Sequence, residues 1–179
     1  MEFELLGFSR DKPTLDLDHE RFAYAGKFVV SRTGKTAVRD GEDLVGAVAF
    51  SADHGRTDAI RLRYVTVRED RRGEGIGPRL LRFTAERLQT CTDEVLIAVN
   101  NPIAYQACYR AGFVWTGTET GMAELLLRYE PGDTRAVGQY REGFRVFERR
   151  DLPPAHQRLL DRHITATPPT VVTDPAVDS

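Results

Sequence analysis

The chain has 179 residues, 41% of them hydrophobic and 29% charged, with a formal net charge of −2 and a mean hydropathy of −0.40. These values fit one globular domain with an adequate core and some decoration. They argue against a membrane span, since no apolar run approaches about 18 residues, and against nonspecific nucleic-acid binding by the whole molecule. Cys91 and Cys108 form no C-x-x-C pair and read as small buried hydrophobes in a reducing compartment. The opening Met1-Glu2-Phe3-Glu4 is acidic and lacks the basic-then-apolar layout of a secretory signal, so a cytoplasmic protein is expected.

Taken in chain order, Phe3 to Phe8 reads as a strand and Pro13 to Asp18 as a turn with helix-start signals. Phe22, Ala25, Val29 and Val30 fall near helical spacing, which predicts a helix over Glu20 to Val30. After a break at Ser31 to Gly34, Thr36 to Arg39 is a short strand. The turn Asp40-Gly41-Glu42-Asp43 then leads into an apolar strand, Leu44 to Ala52. A polar loop, Asp53 to Asp58, precedes the strand Ile60 to Val67. Ile76, Leu80, Phe83 and Leu88 share one face of a helix reaching about Gln89, with Arg79, Arg82 and Glu86 outside. Glu94 to Val99 reads as a buried strand; Phe113 to Thr116 and Ala123 to Tyr129 are the last two strands. Past Pro131-Gly132-Asp133, Tyr140, Phe144 and Phe147 fit a helix face at i, i+4, i+7, while Phe144-Arg145-Val146 also alternates like a strand. Pro153-Pro154 opens a second short helix to Ile164, and Thr165 to Ser179 has the composition of a disordered tail. The sum is an α/β protein (α+β mixed): a mixed sheet flanked by helices, with residues 131–164 as a helical extension and 165–179 as the tail.

The run Arg71-Arg72-Gly73-Glu74-Gly75-Ile76-Gly77-Pro78-Arg79 stands between a strand and a helix. Such a turn presents backbone N–H groups to a phosphate, and glycines let the backbone approach it closely. Arg71, Arg72 and Arg79 add cations around the same spot. A dinucleotide fingerprint starting at Gly73 would put Pro78 where its third glycine belongs, and no G-x-x-x-x-G-K-[ST] string occurs. What remains is Arg72-x-x-Gly75-x-Gly77 behind Val65-Thr66-Val67. Further on, the strand Glu94 to Val99 is followed by Asn100-Asn101-Pro102, a short helix, and Tyr109-Arg110-Ala111-Gly112-Phe113. These two motifs, in this order between about Ile60 and Tyr129, resemble the acyl-CoA pyrophosphate loop and the following strand–Asn–helix–Y-x-x-G-F block of the GNAT superfamily of N-acetyltransferases.

The resemblance implies a GNAT-type twisted mixed sheet over residues 1–130 and transfer of an acetyl group from acetyl-CoA to a primary amine of a small molecule or protein. It implies donor binding by the backbone of Val65, Thr66 and Val67 for the pantetheine arm, and by Arg72, Gly73, Glu74, Gly75, Ile76 and Gly77 for the pyrophosphate. Asn101 would contact the arm or the backbone near it. Tyr109 would be the general acid for the leaving thiolate, since a phenol with a pKa near 10 is protonated at pH 7. Asn101 and Tyr109 are eight positions apart where many members have seven, which keeps Tyr105, one turn earlier, as the alternative acid. Glu69, Asp70, Asp58, Glu119 and Glu124 are candidates for a base, and none is favoured over a solvated surface charge. The acceptor would sit on the variable loops Leu15 to Val30 and Thr116 to Met122.

No metal is expected, because His19, His54, His156 and His163 lack ligand spacing. A noncatalytic acyl-CoA sensor is the alternative function. An RNA-facing patch built from Arg61, Arg63, Arg68 and their neighbours is weaker than a solvated strand face. The extension has three roles open to it: covering the core, a homodimer contact, or shaping the acceptor site.

Overall fold

A computed structural model describes residues 1–132 and 135–175, in two compact units, Met1–Leu96 with the residues from Thr173 onward, and Ile97–Val172. In the first unit β1 (Glu2–Gly7), β2 (Gly34–Asp40), β3 (Asp43–Ala52) and β4 (Ala59–Val67) form an antiparallel meander. Gly41, at φ +61°, makes the expected tight β2–β3 turn. The helix α1 (Ile76–Leu88) lays Ile76, Leu80, Phe83 and Leu88 into the core as their spacing predicts. It is fixed to the sheet by the Thr36 and Thr84 hydroxyls, 2.6 Å apart, and by the Phe3 and Phe83 rings at 5.6 Å.

Side chains alternate across a strand, so Ala37 takes the face opposite Thr36. There Ala37, Ala47 and Ala49, all fully buried, make a shallow floor on which Leu15, Leu17, Phe22, Ala25 and Phe28 pack. Burying a Phe or Leu contributes about 1.5–3 kcal/mol, which holds the long β1–β2 connection against the sheet. This connection contains no α-helix. The helix expected over Glu20 to Val30 is replaced by turns and one 3-10 turn, Ala25–Lys27. The buried set is Phe22, Ala25 and Phe28, a three-residue repeat, while Val29 and Val30 are exposed, and Tyr24 at φ +60° breaks any helical path. Tertiary burial overrode the periodicity.

β5 (Glu94–Val99) begins in the first unit, where the Asp58 carbonyl accepts from the N–H groups of Asp93 and Glu94, and continues in the second. There the strand order is β5-β7-β6, with β6 (Phe113–Glu119) and β7 (Leu125–Tyr129) antiparallel. β6 outruns its expected end at Thr116. β7 starts later than expected, because Thr120 to Ala123 close a turn with Ala123 at φ +58°.

The helices α2 (Pro102–Ala111), α3 (Val137–Phe147) and α4 (Pro154–His163) complete this unit. α3 settles the helix-or-strand ambiguity: Tyr140, Phe144 and Phe147 all point inward on one helical face. Of the expected tail, Thr165 to Pro175 is described, with the Val172 N–H donating to the Arg110 carbonyl and Arg87 facing Asp174 at 3.8 Å. Residues 176–179 lie outside the described residues. No helix among the described residues is long and apolar enough to cross a membrane.

Candidate active site

The β4–α1 connection delivers what its glycines promise. Gly73 and Gly75 adopt φ of +88° and +77°, the left-handed region that side chains disfavour, and Gly75 is the N-cap of α1. None of the backbone N–H groups from Gly73 to Gly77 has an acceptor among the described residues. A turn of donors thus opens beside the positive end of a 13-residue helix. A Cβ added at Gly73 would meet nothing within 4 Å. Pro78 falls in the first helical turn, where its missing N–H costs nothing.

The arginines around this turn play different parts. Arg71 is bound by Asp40 at 3.0 Å and Glu74 at 2.8 Å, which hold its charge and fix the loop. The Arg72 side chain donates to the Val67 carbonyl at 3.4 Å. Arg79 lies 5.2 Å from the Phe3 ring centroid.

The β4 backbone sorts the three arm-binding candidates. The Arg68 N–H donates to the Val45 carbonyl on β3, and antiparallel pairing alternates residue by residue. Thr66, two before Arg68, therefore also spends its backbone groups on β3. Val65 and Val67 direct theirs away from β3.

In the second unit, Asn101 is the N-cap of α2: its Oδ1 accepts from the Ala104 N–H at 2.9 Å, and its Nδ2 donates to Asn100 at 3.3 Å. Its acceptor is thus occupied locally. Tyr105 and Tyr109, one turn apart, are both buried, with rings 5.0 Å apart. Their hydroxyls behave oppositely. Tyr105 donates to the Tyr140 carbonyl at 3.1 Å and lies hard against Gly143, where a Cβ would collide with it. The Tyr109 oxygen instead accepts, from the Trp115 N–H at 3.1 Å. Burial raises the pKa of both phenols, and for Tyr109 the neighbouring Tyr105 hydroxyl, the Trp115 N–H and Arg135 work against the rise.

The acetyltransferase (GNAT) family profile matches residues 3–113. The chain belongs to the GNAT acetyltransferase family. Its fold is shared by an acetyltransferase from Bacillus subtilis in complex with CoA, at 15% identity and a TM-score of 0.53, covering 72% of this chain and 97% of that one. Tetrahymena GCN5 is similar at 16% identity and 0.51, covering 74% and 98%. An IAA acetyltransferase from Bacillus cereus is similar at 15% and 0.50, covering 72% and 98%. No curated protein matches the sequence.

Other GNAT-site candidates sort by their partners. The Arg68 guanidinium, at 2.8 Å, holds the Asp70 carboxyl below the usual carboxylate range, which makes it a poor base. Glu124 accepts from the Thr120 hydroxyl at 3.2 Å. Of the suggested RNA-facing arginines, Arg61 pairs with Asp53 at 2.7 Å and Arg68 with Asp43 and Asp70, so their charge is largely offset.

The β1–β2 connection, one of the two expected acceptor loops, carries a shallow open cleft lined by His19, Phe22, Tyr24 and Lys27, with Tyr24 packed 5.8 Å from Tyr64. Two residues escaped sequence reasoning. Lys35 is fully buried, with its ammonium donating to the carbonyls of Pro13, Val30 and Thr33. Arg135 reaches Tyr109. A lone Lys in a strand and a lone Arg after a loop form no pattern.

Proposed function

We propose that this GNAT protein is an N-acetyltransferase that moves the acetyl group of acetyl-CoA to a primary amine, working in the cytoplasm. The observation that carries the reading is the row of five backbone N–H groups, Gly73 to Gly77, left without acceptors at the start of α1. A pyrophosphate supplies the missing acceptors, and a fixed backbone nest recognises it without reorganising. Arg72 adds a cation at the rim. Val65 and Val67, whose main-chain groups are not spent on β3, would serve the pantetheine arm. The CoA complex of the Bacillus subtilis relative supports this ligand for the fold.

Tyr109 acts as the general acid. Its oxygen accepts from the Trp115 N–H, so its own proton remains to be given, and each hydrogen bond that it accepts stabilises the phenolate left behind. Tyr105, whose proton is engaged by the Tyr140 carbonyl, shapes the helix face instead. The test is calorimetric titration of acetyl-CoA into wild type and Gly75→Val. The β-branched residue is strained at φ +77° and should weaken binding by at least tenfold while the fold is retained. Equal affinity in the two proteins would overturn the assignment of the donor site.

A further inference from the structure

We propose that Arg135, in the segment beyond the GNAT profile match, is a positioning residue that supplies the positive charge opposite the Tyr109 phenolate. This rests on the reading of Tyr109 as the acid. Arg135 lies between β7 and α3. One guanidinium nitrogen donates to the Tyr109 carbonyl and another to the Pro169 carbonyl, so the group is held at both ends. Its central carbon stands 5.7 Å from the centre of the Tyr109 ring.

The groups facing Tyr109 come from each packed element. They are Tyr105 on α2, the Trp115 N–H on β6, Tyr140 on α3 with its ring 4.6 Å away, and Arg135. His163 on α4 stops one layer short, 3.2 Å from the Tyr140 hydroxyl, and burial lowers its pKa, which favours the neutral ring. Arg135 is therefore the one fixed charge beside this phenol among the described residues. Tyr109 and Tyr140 are the groups that raise the Arg135 pKa against the burial that lowers it.

The consequence follows from the proton's path. The acceptor nitrogen bonds the acetyl carbon, the carbon–sulfur bond breaks, and the thiolate takes the Tyr109 proton. The nitrogen releases one proton to solvent and the phenolate recovers one from solvent. Between those events a buried phenolate must exist. A guanidinium held beside it makes Tyr109 a stronger acid than burial alone allows.

The test places 3-fluorotyrosine at position 109 of the full chain and follows its ionisation by fluorine NMR in wild type, Arg135→Gln and Arg135→Lys. Losing the charge should raise the titration midpoint by about one pH unit. It should also lower kcat by up to about tenfold, with the KM for acetyl-CoA within about twofold. Arg135→Lys should stay near wild type in both. Equal midpoints in all three proteins, or equal losses in the Lys and Gln variants, would overturn the proposal. Arg135→Met is the second neutral variant; if neither neutral variant folds by circular dichroism, Arg135 is a structural clamp and the proposal fails. Full activity in Tyr109→Phe would instead remove the acid itself, whatever the titration shows.

Discussion

Gly75, Arg71 and the two tyrosines of α2 each make a separate claim at the scale of the residue. Arg71 already has two carboxylates, Asp40 and Glu74, so its charge is not available to a phosphate. Arg71→Ala should weaken acetyl-CoA binding only modestly, and mainly at low salt. A loss as large as that from Gly75→Val, measured in the same calorimeter, would move recognition from backbone to side chains. Tyr105→Phe removes a hydroxyl that serves the Tyr140 carbonyl, so it should cost about 1 kcal/mol of stability with kcat little changed. A drop in kcat of about a hundredfold or more would give Tyr105 the acid role. The sequence could not separate these two tyrosines, since one helical turn puts both on the same face. What separates them is the direction of their hydrogen bonds, set by Trp115 and by a helix 35 residues away.

The elements were unevenly legible. Strands of β-branched and apolar residues, the Asp40–Asp43 turn and α1 follow their local patterns closely, because the pattern and the burial agree. The β1–β2 connection does not, because its stability comes from packing on three alanines and from one buried cation. Lys35 donates to the carbonyls of Pro13 and Val30, both at 2.7 Å, and of Thr33 at 3.1 Å, so it pins both ends of the connection to β2. Lys35→Met leaves those carbonyls without their donor and should cost about 2–4 kcal/mol in urea unfolding. If the connection carries the acceptor, the amine KM should rise more than the acetyl-CoA KM. Unchanged stability would show that the apolar packing alone holds it.

For the molecule as a whole, the buried phenols set a pH limit. Burial raises the pKa of Tyr105 above that of the unfolded chain, as it does for Tyr109 and Tyr140. The unfolded chain gives up these protons near pH 10 while the folded one keeps them. Stability is therefore intact below that pH and falls above it, by about 1.4 kcal/mol per pH unit for a phenol like Tyr105. Urea titrations from pH 9 to 11 should show this fall, and Tyr105→Phe should make it shallower; a flat profile would mean that these hydroxyls meet solvent. The same rings belong to α2 and α3 together, so the extension covers the helix that bears the candidate acid. The most direct test of the account is steady-state release of CoA thiol from acetyl-CoA across a panel of amines, in wild type and Tyr109→Phe. The account predicts amine-dependent release that falls by about 10²–10⁴-fold in the variant with an unchanged KM for acetyl-CoA. Acetyl-CoA binding without release for any amine, or a variant as fast as wild type, would contradict it.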